Sequence, residues 1–279
     1  MDLKEIREEI NEAVEQKRKE LDLTFVEKYH TYYMKDVNGV KRSSFPSVSK
    51  IVKKYFPPFD QQGIAMSMTN NDPIAANKLI AEWKEAGSIS TNLGSRTHFL
   101  LEENLIGRYG GYKDLRQPEY SCDPTQVAIS DKMVGAGIEF LDLMEERGAV
   151  LLDTEMILGH PELGYVGQPD NSWLMMNKAK DNFGLVVTDW KTNKPKNFES
   201  HHYTKKMYAP FQNYDDIALN HYNIQIPLYG RLLMKMLEGT KFNGISLLGG
   251  VIVLLKDDGT FTEFRVPKDI INKVFTLKI

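Results

Sequence analysis

The chain has 279 residues, a hydrophobic content of 42% and a formal net charge of -3, which supplies enough apolar side chain for a large packed core and excludes a disordered chain. A single cysteine, Cys122, excludes an intramolecular disulfide and any cluster held by four cysteines. No stretch reaches the apolar length of a membrane-crossing helix, and MDLKEIREEI is too acidic for a signal or transit peptide, so a cytoplasmic protein is expected.

Taken in chain order, residues 2–22 predict a charged amphipathic helix, with Leu3, Ile6, Ile10 and Val14 along one stripe and Glu/Lys pairs at helical spacing. Such a helix packs by a narrow edge or meets a partner. Residues 25–33 and 40–45 flank Asn38-Gly39, a strong hairpin signal. Ser47 is placed to cap a short helix that Pro57-Pro58 ends. Residues 61–103 read as helical, with polar breaks at 69–73 and 87–91. The longest helical pattern, 125–147, carries Val127, Ile129, Met133, Ile138, Leu141 and Met144 and is closed by Gly148. Strands follow at about 150–158, 164–176 and 184–191, then a helix over 223–238, an apolar run at 245–255, a turn at Asp257-Asp258-Gly259 and a partner strand at 260–266. This order predicts an α/β fold: a mixed central β-sheet flanked by helices, with an N-terminal helical elaboration. Residues 1–60 are expected as helix, hairpin and short helix and 61–279 as the core, in one compact domain without repeats.

Chemistry-bearing residues gather between Gly167 and Lys191, where the chain reads GQPD and then VVTDWKT. Side chains alternate along a strand, so Asp189 and Lys191 point to one side and Trp190 to the other. Leu185, Val186 and Val187 lead in as a buried strand, and Asn193, Lys194 and Pro195 end it, which sets the charged pair at the rim of a sheet. A D-x-K triplet alone more often marks a solvated strand end with a weak ion pair. Asp170 changes its weight. It opens the apolar run 171–176, and the polar segment 178–184 ends in Gly as a hairpin loop does, so pairing of the two strands brings Asp170 up to Asp189. Two carboxylates brought together stay ionised only with a cation between them, and oxygen ligands without cysteine favour magnesium or manganese over zinc.

On these residues, 155–229 resembles the PD-(D/E)xK nuclease superfamily in its RecB-type branch, and is most similar to mitochondrial genome maintenance exonucleases and their phage relatives. The matching pieces are TEMILGHPELGYVGQPD, with Glu155, Tyr165, Gly167 and Asp170, and VVTDWKTNKPKNF, with Asp189, Lys191 and Lys194-Pro195-Lys196. NIQIPLYG supplies the branch's Gln-x-x-x-Tyr pair as Gln225 and Tyr229, and GSRTHFLLEE upstream puts His98 in the metal-ligand position. FPSVSKIV resembles a segment that precedes the core in these proteins. The resemblance implies a restriction-endonuclease-like core, a helical cover over 61–120, and metal-dependent hydrolysis of DNA phosphodiesters. It assigns His98, Asp170, Asp189 and the backbone carbonyl of Trp190 to Mg2+ or Mn2+, Glu155 to a second ion or bridging water, and Lys191 to the attacking water. Gln225 and Tyr229 border the site. Pro227 departs from the pattern and bears on where that helix starts. The single cysteine excludes the iron–sulfur cluster that some members carry. The implied activity is exonucleolytic, on single-stranded DNA ends in replication, recombination or repair, in a bacterial or phage-infected cytoplasm, with replication or recombination proteins as candidate partners and no membrane.

Polyanion binding depends on Lys and Arg contacts to phosphate, which a net charge of -3 does not favour. The basic patches are local, at 191–196, 205–206, 50–54 and 41–42. Arg96, Lys194, Lys196, Lys205 and Lys206 are the candidate phosphate contacts, with His201 and His202 beside the last two. Tyr203, Tyr208, Phe211 and Tyr214 either stack on unpaired bases or fill the core. His30, His160 and His221 read as loop or surface residues. A structure-specific or sequence-specific endonuclease uses the same metal chemistry, and a fold that had lost turnover would be a DNA-binding module; both readings stay open at this point.

Overall fold

In the computed structural model, which describes residues 2–29, 31–109, 120–199 and 205–279, the charged N-terminal stretch forms α1 (Leu3–Glu20), whose first turn is capped by the Asp2 carboxylate on the Lys4 N–H. Three short strands, β1 (Thr24–Val26), β2 (Thr31–Lys35) and β3 (Lys41–Arg42), form a small antiparallel sheet. The Asp36 carboxylate accepts from the N–H groups of Asn38 and Val40, and Gly39 takes a φ of 77°, so the Asn38-Gly39 turn closes the β2–β3 hairpin. Ser47 caps α2 (Val48–Val52) as its position in the sequence suggests.

Two helices follow, α3 (Gln61–Met68) and α4 (Pro73–Tyr109), separated where Asn70 and Asn71 adopt left-handed backbone. The second expected break is absent: α4 runs unbroken through 87–91 and, at 37 residues, is longer than the helix the sequence pattern makes longest. Ser90 and Thr91 direct their hydroxyls back to the Ala86 and Gly87 carbonyls, so these polar residues stay within the helix instead of ending it. Next comes α5 (Pro124–Glu146), opened by a reciprocal capping box between Asp123 and Gln126.

The strands are β4 (Val150–Thr154), β5 (Leu158–His160), β6 (Tyr165–Gly167), β7 (Asn171–Met176) and β8 (Phe183–Lys191); α6 (Pro195–Phe198), α7 (Ala218–Met236), β9 (Ser246–Leu255), β10 (Phe261–Arg265) and α8 (Lys268–Phe275) complete the chain. The expected strand over 150–158 is two elements. Glu155 has a φ of 49°, which no strand residue adopts, so β4 ends at Thr154 and Leu158 begins the separate β5–β6 hairpin. α7 starts at Ala218 rather than at 223 and carries Pro227 in its interior. Pro227 removes one N–H from the helical ladder, and burial alongside Ile224, Ile226 and Leu228 offsets the loss. α8 is not among the elements expected from sequence; it docks through Ile270 and Val274 while the Arg231 guanidinium donates to the Val274 and Leu277 carbonyls at its C-terminal end.

The main sheet has the order β10-β9-β8-β7-β4, with β8 and β9 parallel and every other pair antiparallel. The fold is therefore α/β with a mixed five-stranded sheet. A parallel pair needs a crossover, and α7 supplies it. Leu185 and Val187 of β8 join Leu174, Ile252, Leu232 and Leu233 in one apolar layer, while Val186 and Trp190 join Trp173, Val253, Phe140 and Leu141 in the other. α7 and α1 cover the first face and α4 and α5 the second. Asp189 and Lys191 continue the alternation of Leu185 and Val187, so they emerge on the α7 side. Ile10, Met34 and Ile51 belong to that same layer, and the Asn11 amide donates to the Leu152 carbonyl at 2.8 Å, so the first sixty residues share the core of the sheet.

Phe140 stands edge-on to both Trp190 and Phe261, at ring centroid distances of 5.4 and 5.8 Å, with no exposed surface. Phe140→Ala is expected to lower unfolding free energy by about 3–5 kcal/mol through the cavity it leaves. Urea unfolding followed by circular dichroism measures this; a loss below about 1 kcal/mol would mean that α5 does not pack on the sheet in this way.

Candidate active site

Antiparallel pairing sets Asn171 of β7 opposite Thr188 of β8, and Asp170, one residue earlier, therefore reaches the end of β8. Its Oδ2 accepts from the Trp190 N–H at 2.6 Å. Asp170 and Asp189 are 9% and 2% exposed, so both carboxylates are withdrawn from water. The Lys191 ammonium forms an ion pair with Asp189 Oδ2 and lies 4.4 Å from the centre of the Tyr222 ring, a cation–π contact from α7.

His98 arrives on α4. One turn earlier Gly94 lies against Thr192, where a Cβ would stand 3.1 Å from the threonine hydroxyl, so the helix passes close over the end of β8. His98 Nδ1 then comes to 3.5 Å from Asp170 Oδ1. Thr97 and Ser130 share a buried hydroxyl hydrogen bond of 2.9 Å that ties α4 to α5. Arg96, expected to face phosphate, belongs to the same tie: its guanidinium pairs with Asp131 at 2.7 Å and donates to the Val127 carbonyl. A side chain two residues from His98 on a helix lies on another face, which is why the two diverge.

Glu155 is held by its backbone rather than by a strand. Its N–H donates to the Asp170 carbonyl at 3.0 Å, its own carbonyl accepts from Gln168 Nε2 at 3.1 Å, and the neighbouring Thr154 hydroxyl also donates to the Asp170 carbonyl. These bonds stabilise a left-handed conformation that an unbranched acid seldom adopts. As a result His98, Glu155 and Asp170 each present a ligand atom within 4.8 Å of the others; Asp189, expected as a ligand, lies outside this group, paired with Lys191 and close enough to Asp170 to feel its charge.

On α7, Gln225 Nε2 donates to the Tyr229 hydroxyl at 2.8 Å, and Tyr229 is 6% exposed. Burial raises the Tyr229 phenol well above its ordinary range, and the Asp189 charge adds to this, which sets the hydroxyl beside the acids as a neutral group. Gly167 is required here: a Cβ would lie 2.6 Å from the Tyr229 ring and 2.7 Å from Val48. Tyr165 is a scaffold residue, its buried hydroxyl donating to the Leu228 carbonyl of α7. Three contributors escape the sequence reading: Tyr222, Gln168 and Asn171, whose amide sits between the Asp170 carbonyl and the Trp190 indole N–H. Only Tyr222 leaves a sequence signal, its helical spacing of three from Gln225.

The electrostatics of the cluster follow from burial. Desolvation and the Asp170 charge together push the Asp189 carboxyl up to about 6 despite the Lys191 ammonium. Desolvation would raise Asp170 as well, but His98, Lys191 and the Trp190 N–H outweigh it and hold that carboxyl below its ordinary range. Burial works to lower His98, and the two carboxylates override it, so the imidazole is raised. Lys191 is likewise held protonated against desolvation by Asp189 and Asp170. Two buried acids thus draw every nearby positive group toward themselves, which is the environment a divalent cation fits.

Among the basic candidates, Lys194 is exposed and lines a polar groove of about 410 Å³ beside Lys191, walled by Ala86, Gly87, Ser90 and Thr91 of α4 and by Thr192 and Asn193. Lys196 is exposed on α6, Lys205 is exposed, and Lys206 pairs with Asp215. Phe211 is fully buried and the Tyr214 hydroxyl is bonded to Asp269, so these two serve the core and its edge, whereas Tyr208 is 49% exposed. His221 is not a loop residue: it lies in α7, stacked on Phe56 at 3.7 Å and bonded to Asp216. His160 ends β5, half-buried. His30, His201, His202 and Tyr203 lie outside the described residues.

Below about pH 6 a cation at this cluster would compete with the proton on Asp189, and the raised His98 imidazole adds to that competition. Mn2+ affinity measured by isothermal titration calorimetry is expected to fall as pH is lowered through about 6, with proton release on binding. His98→Ala is expected to weaken binding by at least about tenfold. Affinity that is flat from pH 5 to about pH 8, or unchanged in the variant, would remove this cluster as the cation site.

Compared with known proteins, the chain matches no family model and no curated protein sequence.

Proposed function

We propose that this protein is a metal-dependent deoxyribonuclease with a PD-(D/E)xK, restriction-endonuclease-like core, acting as an exonuclease on single-stranded DNA ends. The observation that carries the reading is convergence: His98, Glu155, Asp170, Asp189 and Lys191 come from four separate segments of chain and meet at the end of two adjacent strands. Acids on neighbouring antiparallel strands, with a lysine two residues after the second, are what the motif resemblance leads one to expect. The mixed sheet with helices on both faces suits that core.

The donor set of one imidazole and two carboxylates, from His98, Glu155 and Asp170, without thiolate and with the Asp189 charge next to it, fits Mg2+ or Mn2+. His98, Asp170 and Asp189 would hold the ion, with Glu155 beside it and the Trp190 peptide between the acids. When bound, such an ion supplies Lewis-acid stabilisation of phosphoryl charge and lowers the pKa of a coordinated water. The chain's own groups do the rest. In hydrolysis the oxygen of water adds to phosphorus, a deoxyribose oxygen leaves, and negative charge grows on the non-bridging oxygens. Lys191, kept protonated by the two acids and confined by the Tyr222 ring, is placed to stabilise that charge and to orient the incoming water. Gln225 fixes the Tyr229 hydroxyl, which stays neutral and offers a hydrogen bond at the border of the site.

Support for a single strand comes from α4, whose Gly94 lies against Thr192 and which walls, with Thr192, Asn193 and Lys194, a groove of about 410 Å³ at the end of β8. DNA end processing in replication, recombination or repair is the setting this activity suits.

Asp189→Ala and Lys191→Ala are each expected to abolish cleavage of 5′-labelled linear single-stranded DNA in Mg2+ or Mn2+ while the circular dichroism spectrum stays unchanged. Wild-type cleavage by either variant would defeat the site assignment. Circular single-stranded DNA is expected to survive; cutting of circles would make the protein an endonuclease, and binding without cleavage of either form would make it a DNA-binding module.

A further inference from the structure

At the end of the sheet away from Asp189 and Lys191 lies a second groove, of about 590 Å³ and different in character. Its floor is apolar: Met144 from α5, Met175 near the end of β7, Leu248 and Gly249 of β9, and Ile271 of α8. The cause is local. Pairing of β8 with β9 slips between Leu185 and Val186, which face Leu247 and Gly249 in turn, so Leu248 is an extra residue in β9. A bulge re-aims the side chain it carries. Leu248 leans over Gly184 and remains 38% exposed, a large apolar side chain turned out of the sheet. Above Gly249 there is open space, with no atom within 4 Å of where a Cβ would stand.

The rim is cationic. Arg147 is already neutralised by a two-point pair with Glu263, at 2.8 and 2.9 Å. Lys178, Arg265 and Lys268 are exposed, and among the described residues none of the three has an ion-pair partner. Three unopposed cations around an apolar floor stand out on a chain whose formal net charge is -3. Adaptable methionine and leucine side chains favour an apolar guest of loosely defined shape, and the rim selects for negative charge beside it.

We infer that this groove docks a short acidic peptide segment of another protein, its apolar side chains on Met144, Met175 and Leu248 and its carboxylates on Lys178, Arg265 and Lys268. The groove and the cluster of acids lie toward opposite ends of β7 and β8, so both sites can be occupied together. The inference stands whether or not the nuclease reading does.

The test uses the full chain and a fluorescein-labelled octapeptide of four aspartates followed by four apolar residues, with a counterpart in which lysines replace the aspartates. Fluorescence anisotropy is expected to show saturable binding of the acidic peptide only. Gly249→Asp, which fills open space with a charge, and Lys268→Glu, a favourable exchange at the first turn of α8, should each weaken binding by about tenfold or more. Cleavage of linear DNA by both variants is expected to equal that of the wild type. The proposal is overturned by absence of acidic-peptide binding at millimolar protein, by equal binding of the lysine peptide, or by variants that bind as tightly as the wild type. Sedimentation showing a dimer that Gly249→Asp dissociates would also overturn it, because the occupant would then be a second copy of this chain.

Discussion

Two carboxylates buried on neighbouring strands set the terms for the rest of this molecule. At an effective dielectric near 20, like charges 4 Å apart repel by about 4 kcal/mol, and desolvation adds to the cost. The fold surrounds Asp170 and Asp189 with positive and donor groups from β8 and α4: the Lys191 ammonium and the Trp190 N–H from the strand, and His98 from the helix. Even so the compensation is incomplete, since Asp189 stays raised. A site that still favours added positive charge after recruiting its own cations is where the proposed metal ion would be stabilised.

Much of the surrounding structure can be understood as holding that cluster together. The β7–β8 register decides that Asp170 meets the end of β8, and a slip by one residue would turn it to the opposite face. Gly94 lets α4 approach closely enough for His98 to reach Asp170, and Gly167 clears room for Tyr229. Glu155 occupies a strained backbone position fixed by three hydrogen bonds around the Asp170 and Glu155 carbonyls. None of these features adds much apolar burial. Stability comes from the two apolar layers on either side of the sheet, and the cluster draws on it.

Legibility in the sequence tracked how local each cause was. The Asn38-Gly39 turn, the Ser47 cap and the Leu185–Val187 run depend on a few adjacent residues and are readable as written. The approach of Asp170 to Asp189 was also readable, because one hairpin connects the two strands. Where distant contacts decide, the pattern misleads. Polar residues at 87–91 suggest a break, yet their hydroxyls satisfy helix carbonyls; Pro227 suggests a helix start, yet burial retains it inside α7. Arg96 beside His98 suggests a phosphate contact, yet Asp131, thirty-five residues on, takes it. Tyr222 and Gln168 act through tertiary contacts, Tyr222 with Lys191 and Gln168 with the Glu155 carbonyl, that adjacent residues do not announce.

The molecule thus carries polar, charge-dense chemistry at one end of its sheet and an apolar, cation-rimmed groove at the other, with β8 and β9 running between them. The central claim is that the acid cluster is a divalent-cation site. Crystals grown or soaked with Mn2+ and measured at its absorption edge test it most directly. The account predicts an anomalous peak within coordinating distance of His98, Asp170 and Asp189; a map with no peak there, or with manganese bound only elsewhere, would contradict it.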